Sequence, residues 1–177
     1  MTLIRTPRLQ LRTFQDADLE AFALVLADPG TMAPWGSPYG LERSAEELSY
    51  YLDHYERYGF APLAIVHEGN LVGDMGLQHL EDGAEVELLY RLSSTVWRRG
   101  LGTEAGDAIL DYGFTVLGLD EIVAVISENN IPSQRLATKL GFTSGEPGTY
   151  YGQRLVRHHI TEELHTRSVQ RRKQTTV

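Results

Sequence analysis

Between residues 61 and 92, three apolar runs are separated by turns too short to hold anything but hairpins. Leu63 to Val66 runs into Glu68-Gly69-Asn70, Leu71 to Leu77 follows, and Glu81-Asp82-Gly83 leads into Glu85 to Leu92. Successive strands joined this tightly pair antiparallel, as a meander. From Gly102 the periodicity changes. Ala105, Ala108, Ile109, Tyr112 and Val116 recur at helical spacing as far as Gly118, and Ile122 to Ile126 is then an unbroken apolar run. That run fits a strand covered on both faces. A helix between the strand at 85–92 and the strand at 122–126 makes one parallel crossover. The fold class is therefore α+β: a mixed, largely antiparallel sheet flanked by helices.

The flanking segments fit this frame. Leu9, Leu11 and Thr13 alternate with Gln10 and Arg12 as a first strand. Asp16 and Asp18 open a helix carrying Leu19, Phe22, Ala23 and Leu26, and Asp28-Pro29-Gly30 stops it. Residues 31–40, with Trp35 and Tyr39, read as a loop. Ser44-Ala45-Glu46-Glu47 resembles a capping box for a helix to Tyr58, whose aromatic stripe, Tyr51 and Tyr55, suits the core or a substrate-facing wall. Pro132 starts another helix, with Gly141 as its cap; 145–152 reads as a loop and Leu155 to Ile160 as a last strand. We expect one domain over residues 1–165 and a polar tail over 166–177, a solvated helix end that frays.

Composition removes several chemistries. The 177 residues contain no Cys, which excludes disulfides, Cys-ligated metals and a Cys-bound acyl intermediate. His158 and His159, near Glu162 and His165, are adjacent on a strand and point to opposite faces, so no metal is expected. A net charge of −8 disfavours nucleic acid and suits a cationic partner. No apolar run is long enough for a signal peptide or a membrane span, so the expectation is a cytoplasmic protein off the membrane.

The segment richest in chemical information is Trp97-Arg98-Arg99-Gly100-Leu101-Gly102-Thr103-Glu104-Ala105. It lies between a strand and a helix, where backbone N–H groups converge on an anion at the helix N-terminus. Gly100 and Gly102 allow close approach and positive φ, and Arg98 and Arg99 add charge. A phosphate-bearing ligand follows. Gly100-x-Gly102-x-x-Ala105 also matches the dinucleotide fingerprint, with Glu128 as its ribose acid, but the hairpins at 61–92 are not the repeated βαβ units that fold needs. No Gly-Lys-Ser/Thr occurs, so there is no Walker loop. An ordinary glycine turn before a helix is the plain alternative.

Glu87-x-x-Tyr90, the Trp97–Ala105 loop and Asn130-x-x-Ser133-x-Arg135-x-x-x-Lys139-Leu140-Gly141-Phe142, in that order, resemble the GNAT superfamily of N-acetyltransferases. The opening Thr6-Pro7-Arg8-Leu9-x-Leu11-Arg12 and the Trp-led loop resemble its RimJ/RimL-type branch, which acetylates N-termini of ribosomal proteins and includes relatives acting on small amines. The resemblance runs to about Thr161. It implies a V-shaped split between the two central strands that holds acetyl-CoA as co-substrate. Amides of Arg98, Arg99, Gly100, Leu101, Gly102 and Thr103 would cradle the pyrophosphate. Backbone groups of Tyr90, Arg91 and Leu92 would pair with pantetheine, one polarising the thioester carbonyl, and Asn130 would touch the same arm. Trp97 stands where the superfamily usually keeps Gln or Arg, and it is not counted as a ligand.

The implied reaction is direct attack of a primary amine on the thioester in a ternary complex. A protonated amine must first lose a proton, and Glu87 matches the glutamate the superfamily often keeps for that purpose. Many members place a Tyr where this chain has Ala137, so the branch resemblance points instead to Ser133 as the group facing the departing thiolate. Trp35, Tyr39 and Tyr151 are the candidate acceptor contacts. The acceptor itself, a protein N-terminal α-amine or a small-molecule amine, stays open, as does a homodimer. A non-catalytic acyl-CoA-binding sensor is the competing reading.

Overall fold

A computed structural model describes residues 1–175. Its strands are β1 (Leu3–Arg5), β2 (Leu9–Arg12), β3 (Pro62–His67), β4 (Asn70–His79), β5 (Val86–Leu92), β6 (Glu121–Ile126), β7 (Thr143–Tyr150) and β8 (Gln153–Thr161). Its helices are α1 (Leu19–Leu26), α2 (Pro29–Met32), α3 (Leu41–Tyr58), α4 (Leu101–Thr115), α5 (Ile131–Leu140) and α6 (Glu162–Thr175). The eight strands lie in one mixed sheet in the order β1-β2-β3-β4-β5-β6-β8-β7. No helix among the described residues is long and apolar enough to cross a membrane.

The chain divides into two compact units, residues 1–78 with 89–105, and residues 79–88 with everything from Gly106 onward. In the first unit β1, β2, β3 and β4 pair antiparallel in turn. The alternation in β2 buries Leu9 and Leu11. His67 faces Asn70 across a two-residue turn, Glu68-Gly69, with φ of 51° and 81°. Positive φ at both positions gives the turn the twist that a hairpin needs. Phe14, Phe22, Leu26, Met32, Leu48 and Tyr51 form the core between the sheet and its helices, which places Tyr51 in the core rather than on a substrate wall. At Gly73 a Cβ would lie 2.2 Å from the carbonyl oxygen of Arg91, so this position admits no side chain.

This unit differs from expectation in β1, in the helical turns that occupy Pro29–Met32 and Ala33–Trp35 where a loop was expected, and at two helix starts. Asp28 does not simply end α1: its carboxylate accepts from Thr31 N–H at 2.9 Å and caps α2. Helix α3 starts at Leu41 behind Gly40, not at Ser44. Ser44 is buried inside the helix and donates its hydroxyl to Gly40 O at 2.9 Å, so the capping-box pattern is coincidental.

In the second unit β6 pairs antiparallel with β8, and β8 with β7, while Glu87 of β5 sits parallel to Val123 of β6. The segment expected as a loop at 145–152 is largely β7, with a register break between Ser144 and Pro147 and a turn at Tyr151-Gly152. Its glycines and proline are tolerated because β7 is an edge strand and the proline falls at the irregularity. Helix α5 closes on Gly141 at φ 109°. The expected polar tail continues α6 as far as Thr175, while residues 176 and 177 lie outside the described residues. Among the contacts that hold that helix are His165 with Asp111 at 2.8 Å, Ser168 donating to Lys139 O at 3.0 Å, Arg172 donating to the same carbonyl, and Arg172 with Asp107 at 2.5 Å.

Candidate active site

In the first unit, the loop between β5 and α4 carries left-handed backbone at Arg98 (φ 61°) and Gly100 (φ 79°). Arg98 and Arg99 are exposed, and the following helix α4 is 15 residues long. Alternating left-handed positions before a long helix turn successive N–H groups toward one point, a concavity suited to an anion. Trp97 is not idle here. Its indole N–H donates to Leu92 O at 2.7 Å, which ties the start of the loop to the end of β5 and occupies one of the carbonyls expected to face pantetheine.

Glu104, in the first turn of α4, places a carboxylate close to this concavity, where it would oppose an anionic ligand. It is neutralised in place. Thr6 Oγ1 donates to it at 2.6 Å, Arg8 N–H at 2.9 Å and Arg8 Nε at 2.6 Å. Burial raises the Glu104 carboxyl, but the hydrogen bonds from Thr6 and Arg8 outweigh it and hold the group below its usual range. The loop therefore combines left-handed turns, two exposed arginines and a nearby acid that is tied off.

Among the expected cofactor contacts on β5, Arg91 makes no use of its side chain toward the surface. Its guanidinium is buried with Asp74, donating through Nη2 to Asp74 Oδ2 and to Glu47 Oε1, each at 2.8 Å. Tyr51 donates to Asp74 at 2.8 Å and accepts from Arg91. Burial opposes the Arg91 charge, while Asp74, Tyr51 and Glu47 hold it, so the group stays charged throughout. Trp35, half-exposed, lies over the guanidinium at 5.4 Å. The part of Arg91 available to a ligand is therefore its backbone. Tyr39, expected at the acceptor side, is buried in the core, with Arg43 stacked on its ring at 3.8 Å.

In the second unit, Glu87 is 3% exposed on β5. Tyr151, from the β7–β8 turn, donates its hydroxyl to Glu87 Oε1. Tyr151 is itself fixed: its N–H donates to Glu81 Oε1 at 2.6 Å, and its hydroxyl accepts from Glu81 N–H at 3.4 Å. Tyr151 (φ 53°), Glu81 (φ 50°) and Asp82 (φ 55°) all hold left-handed backbone, so two tight turns latch together over one buried carboxylate. A buried, hydrogen-bonded carboxylate is a chemically competent base.

Also in this unit, Asn130 caps α5, its Oδ1 accepting from Ser133 N–H at 3.2 Å. Ser133 follows Pro132 in the first turn of α5. Gln134 ties the approach to the helix by donating to Ser127 O at 3.0 Å and Glu128 O at 2.8 Å. Ala137, at the position where many superfamily members keep a Tyr, is fully buried. Among the described residues no three His, Asp or Glu side chains converge as a metal site. Sequence reasoning missed the parts played by Glu81, Glu104 and Arg8; the opening Thr6-Pro7-Arg8 was visible as a motif, but its partner was not.

Comparison with known proteins fits this geometry. Residues 8–143 match the acetyltransferase (GNAT) domain family. An uncharacterized N-acetyltransferase of Bacillus subtilis, YoaA, is 27% identical over 145 residues, 79% of this chain and 82% of that one. The solved acetyltransferase of Agrobacterium tumefaciens is 26% identical, with a TM-score of 0.82 over 92% of this chain and 95% of that one. Mycobacterium smegmatis RimJ in complex with CoA-disulfide, 22% identical, shares the fold at a TM-score of 0.75 over 95% of this chain and 92% of that one. The chain belongs to the GNAT family, and it is an N-acetyltransferase of the kind that draws its acetyl group from acetyl-CoA.

Proposed function

We propose that the chain acetylates a primary amine, a protein N-terminal α-amine or a small amine, by direct attack on acetyl-CoA in a ternary complex. The observation that carries this reading is Glu87, buried and held by Tyr151. Glu87 takes the proton from the ammonium form of the acceptor, directly or through water, and the neutral nitrogen attacks the thioester carbon. The nitrogen–carbon bond forms, the carbon–sulfur bond breaks, and the thiolate leaves with CoA. Backbone N–H groups of Arg98 to Thr103 bind the pyrophosphate, those around Tyr90 to Leu92 orient the thioester, Asn130 borders the pantetheine arm, and the Ser133 hydroxyl hydrogen-bonds the departing sulfur. Trp35 and Tyr151, both exposed, contact the acceptor, which an acidic surface draws in as a cation.

The test is acetyl transfer to a panel of N-terminal peptides, polyamines and aminoglycosides, with wild-type protein and Glu87→Gln. General-base catalysis contributes about a hundredfold or more, so Glu87→Gln is expected to lose about that factor in kcat/KM. Acetyl-CoA binding by calorimetry should stay within about twofold, because the substitution removes no ligand contact. No turnover of any amine by wild-type protein that binds acetyl-CoA would overturn the enzymatic reading and favour a sensor.

A further inference from the structure

The opening Thr6-Pro7-Arg8 lies more than ninety residues before the anion loop in sequence, yet it contacts the loop at two points. Arg8 Nη1 donates to Arg99 O at 2.8 Å, and Arg8 Nε donates to Glu104 Oε2 at 2.6 Å, across 91 and 96 positions of the chain. The first contact fixes a peptide plane. In a trans peptide the N–H of Gly100 points opposite to the C=O of Arg99. Because Arg8 draws that carbonyl to its own side, the Gly100 N–H is turned to the other side. Left-handed backbone at Arg98 is unfavourable for a residue with a Cβ, so the loop needs such external holds. The second contact cancels a charge: Glu104 would otherwise repel an anion at the N-terminus of α4. Thr6, which also donates to Glu104 at 2.6 Å, completes the clamp.

We propose that Arg8 is a positioning residue for the pyrophosphate of acetyl-CoA, acting through Glu104 and the Arg99 carbonyl rather than by touching the ligand. The proposal rests on the loop's role in the reading above. Half of the Arg8 side chain is exposed, and an exposed ion pair alone contributes little, so its effect comes from the fixed peptide plane and the silenced carboxylate. Arg8 carries both tasks at once because a guanidinium holds its donors in a rigid fork; a lysine offers a single point charge whose donors are not held in that geometry. The two effects are therefore coupled. With Arg8 gone, Glu104 is an unmatched negative charge beside the anion, and removing that charge as well gives part of the loss back.

The experiment measures acetyl-CoA Kd by calorimetry, and KM for each substrate, in wild type, Arg8→Ala, Arg8→Lys, Glu104→Gln and the Arg8→Ala/Glu104→Gln double variant. Arg8→Ala is expected to weaken acetyl-CoA binding about tenfold, the loss of one charge-assisted hydrogen bond to the loop. KM for acetyl-CoA should rise with it, while KM for the acceptor stays put. Arg8→Lys should recover only part, and it keeps the test alive if the alanine variant does not fold. The double variant should bind more tightly than Arg8→Ala and less tightly than wild type. Unchanged Kd in both folded Arg8 variants would overturn the clamp. So would losses that multiply in the double variant, since Arg8 would then touch the ligand independently of Glu104. Failure of wild-type protein to bind acetyl-CoA would overturn the loop assignment and the clamp with it.

Discussion

Asp74→Asn tests the buried charge network more sharply than any other single change. Asp74 is fully buried on β4 and accepts from Arg91 Nε at 3.1 Å, Arg91 Nη2 at 2.8 Å and Tyr51 at 2.8 Å. The amide replacement keeps the shape, removes the negative charge and turns an NH₂ group toward a ring of donors. Breaking a buried pair by removing one partner costs about 3–5 kcal/mol, because the other charge stays buried. Glu47 remains 2.8 Å from Arg91 and is partly exposed, so we place the loss near the lower bound, about 3 kcal/mol. Arg91 Nη1 already has no partner among the described residues, which leaves it no second site to turn to. For a chain of this size, each kcal/mol moves Tm by about 2–4 °C, which puts the fall at about 6–12 °C. Thermal melts and urea titration, with an unchanged m-value, would read this. The control is Asp74→Leu with Arg91→Met, where an apolar pair should regain most of the loss. A melting temperature for Asp74→Asn within about 2 °C of wild type would refute the reasoning, since Arg91 would then have to find water.

Two further outcomes follow from the second unit. Tyr151→Phe removes the hydroxyl that Glu87 accepts from, and it should lower kcat/KM for the acceptor about tenfold while leaving acetyl-CoA Kd unchanged; an unchanged kcat/KM sinks the latch as a functional device. His158 is buried, and burial first, then His159, hold its imidazole below the usual value. The unfolded chain therefore binds the extra proton at higher pH than the native one, so this contribution is complete above about pH 6.5 and is lost as pH falls below it. Tm should drop between pH 7 and pH 5 in wild type and drop less in His158→Gln; parallel curves would refute the assignment.

The meander and the crossover were legible because their signals are local. Period-2 alternation, the Glu68-Gly69 turn and the apolar run at 122–126 each sit within a few residues of the element they define. Strand β7 was not legible because Gly145, Pro147 and Gly148 carry the composition of a loop, and only pairing with β8 makes them a strand. Helix α3 was started too late because Ser44 and Glu47 fit a cap on paper. In the folded chain Glu47 reaches Arg91, 44 positions away. The site divides the same way. The order of Glu87, the glycine loop and Asn130 could be read along the chain, since each lies at the end of a local element. Tyr151 reaches Glu87 across 64 positions and Arg8 reaches Glu104 across 96, so neither pairing has a local signature.

The placement of β8 has a consequence for synthesis. It is made after both β6 and β7, yet it lies between them, and it supplies the partner of β6 from Glu121–Thr161 to Ile126–Val156. While the chain is still emerging from the ribosome, β6 presents Ile122, Val123, Ala124, Val125 and Ile126 along an open edge, and nothing made earlier can occupy the place of β8. Such an edge is a template for another nascent chain. A delay that leaves β6 outside the exit tunnel and β8 still inside it should therefore raise aggregation. A nascent-chain stall is safest once β8 is free of the exit tunnel.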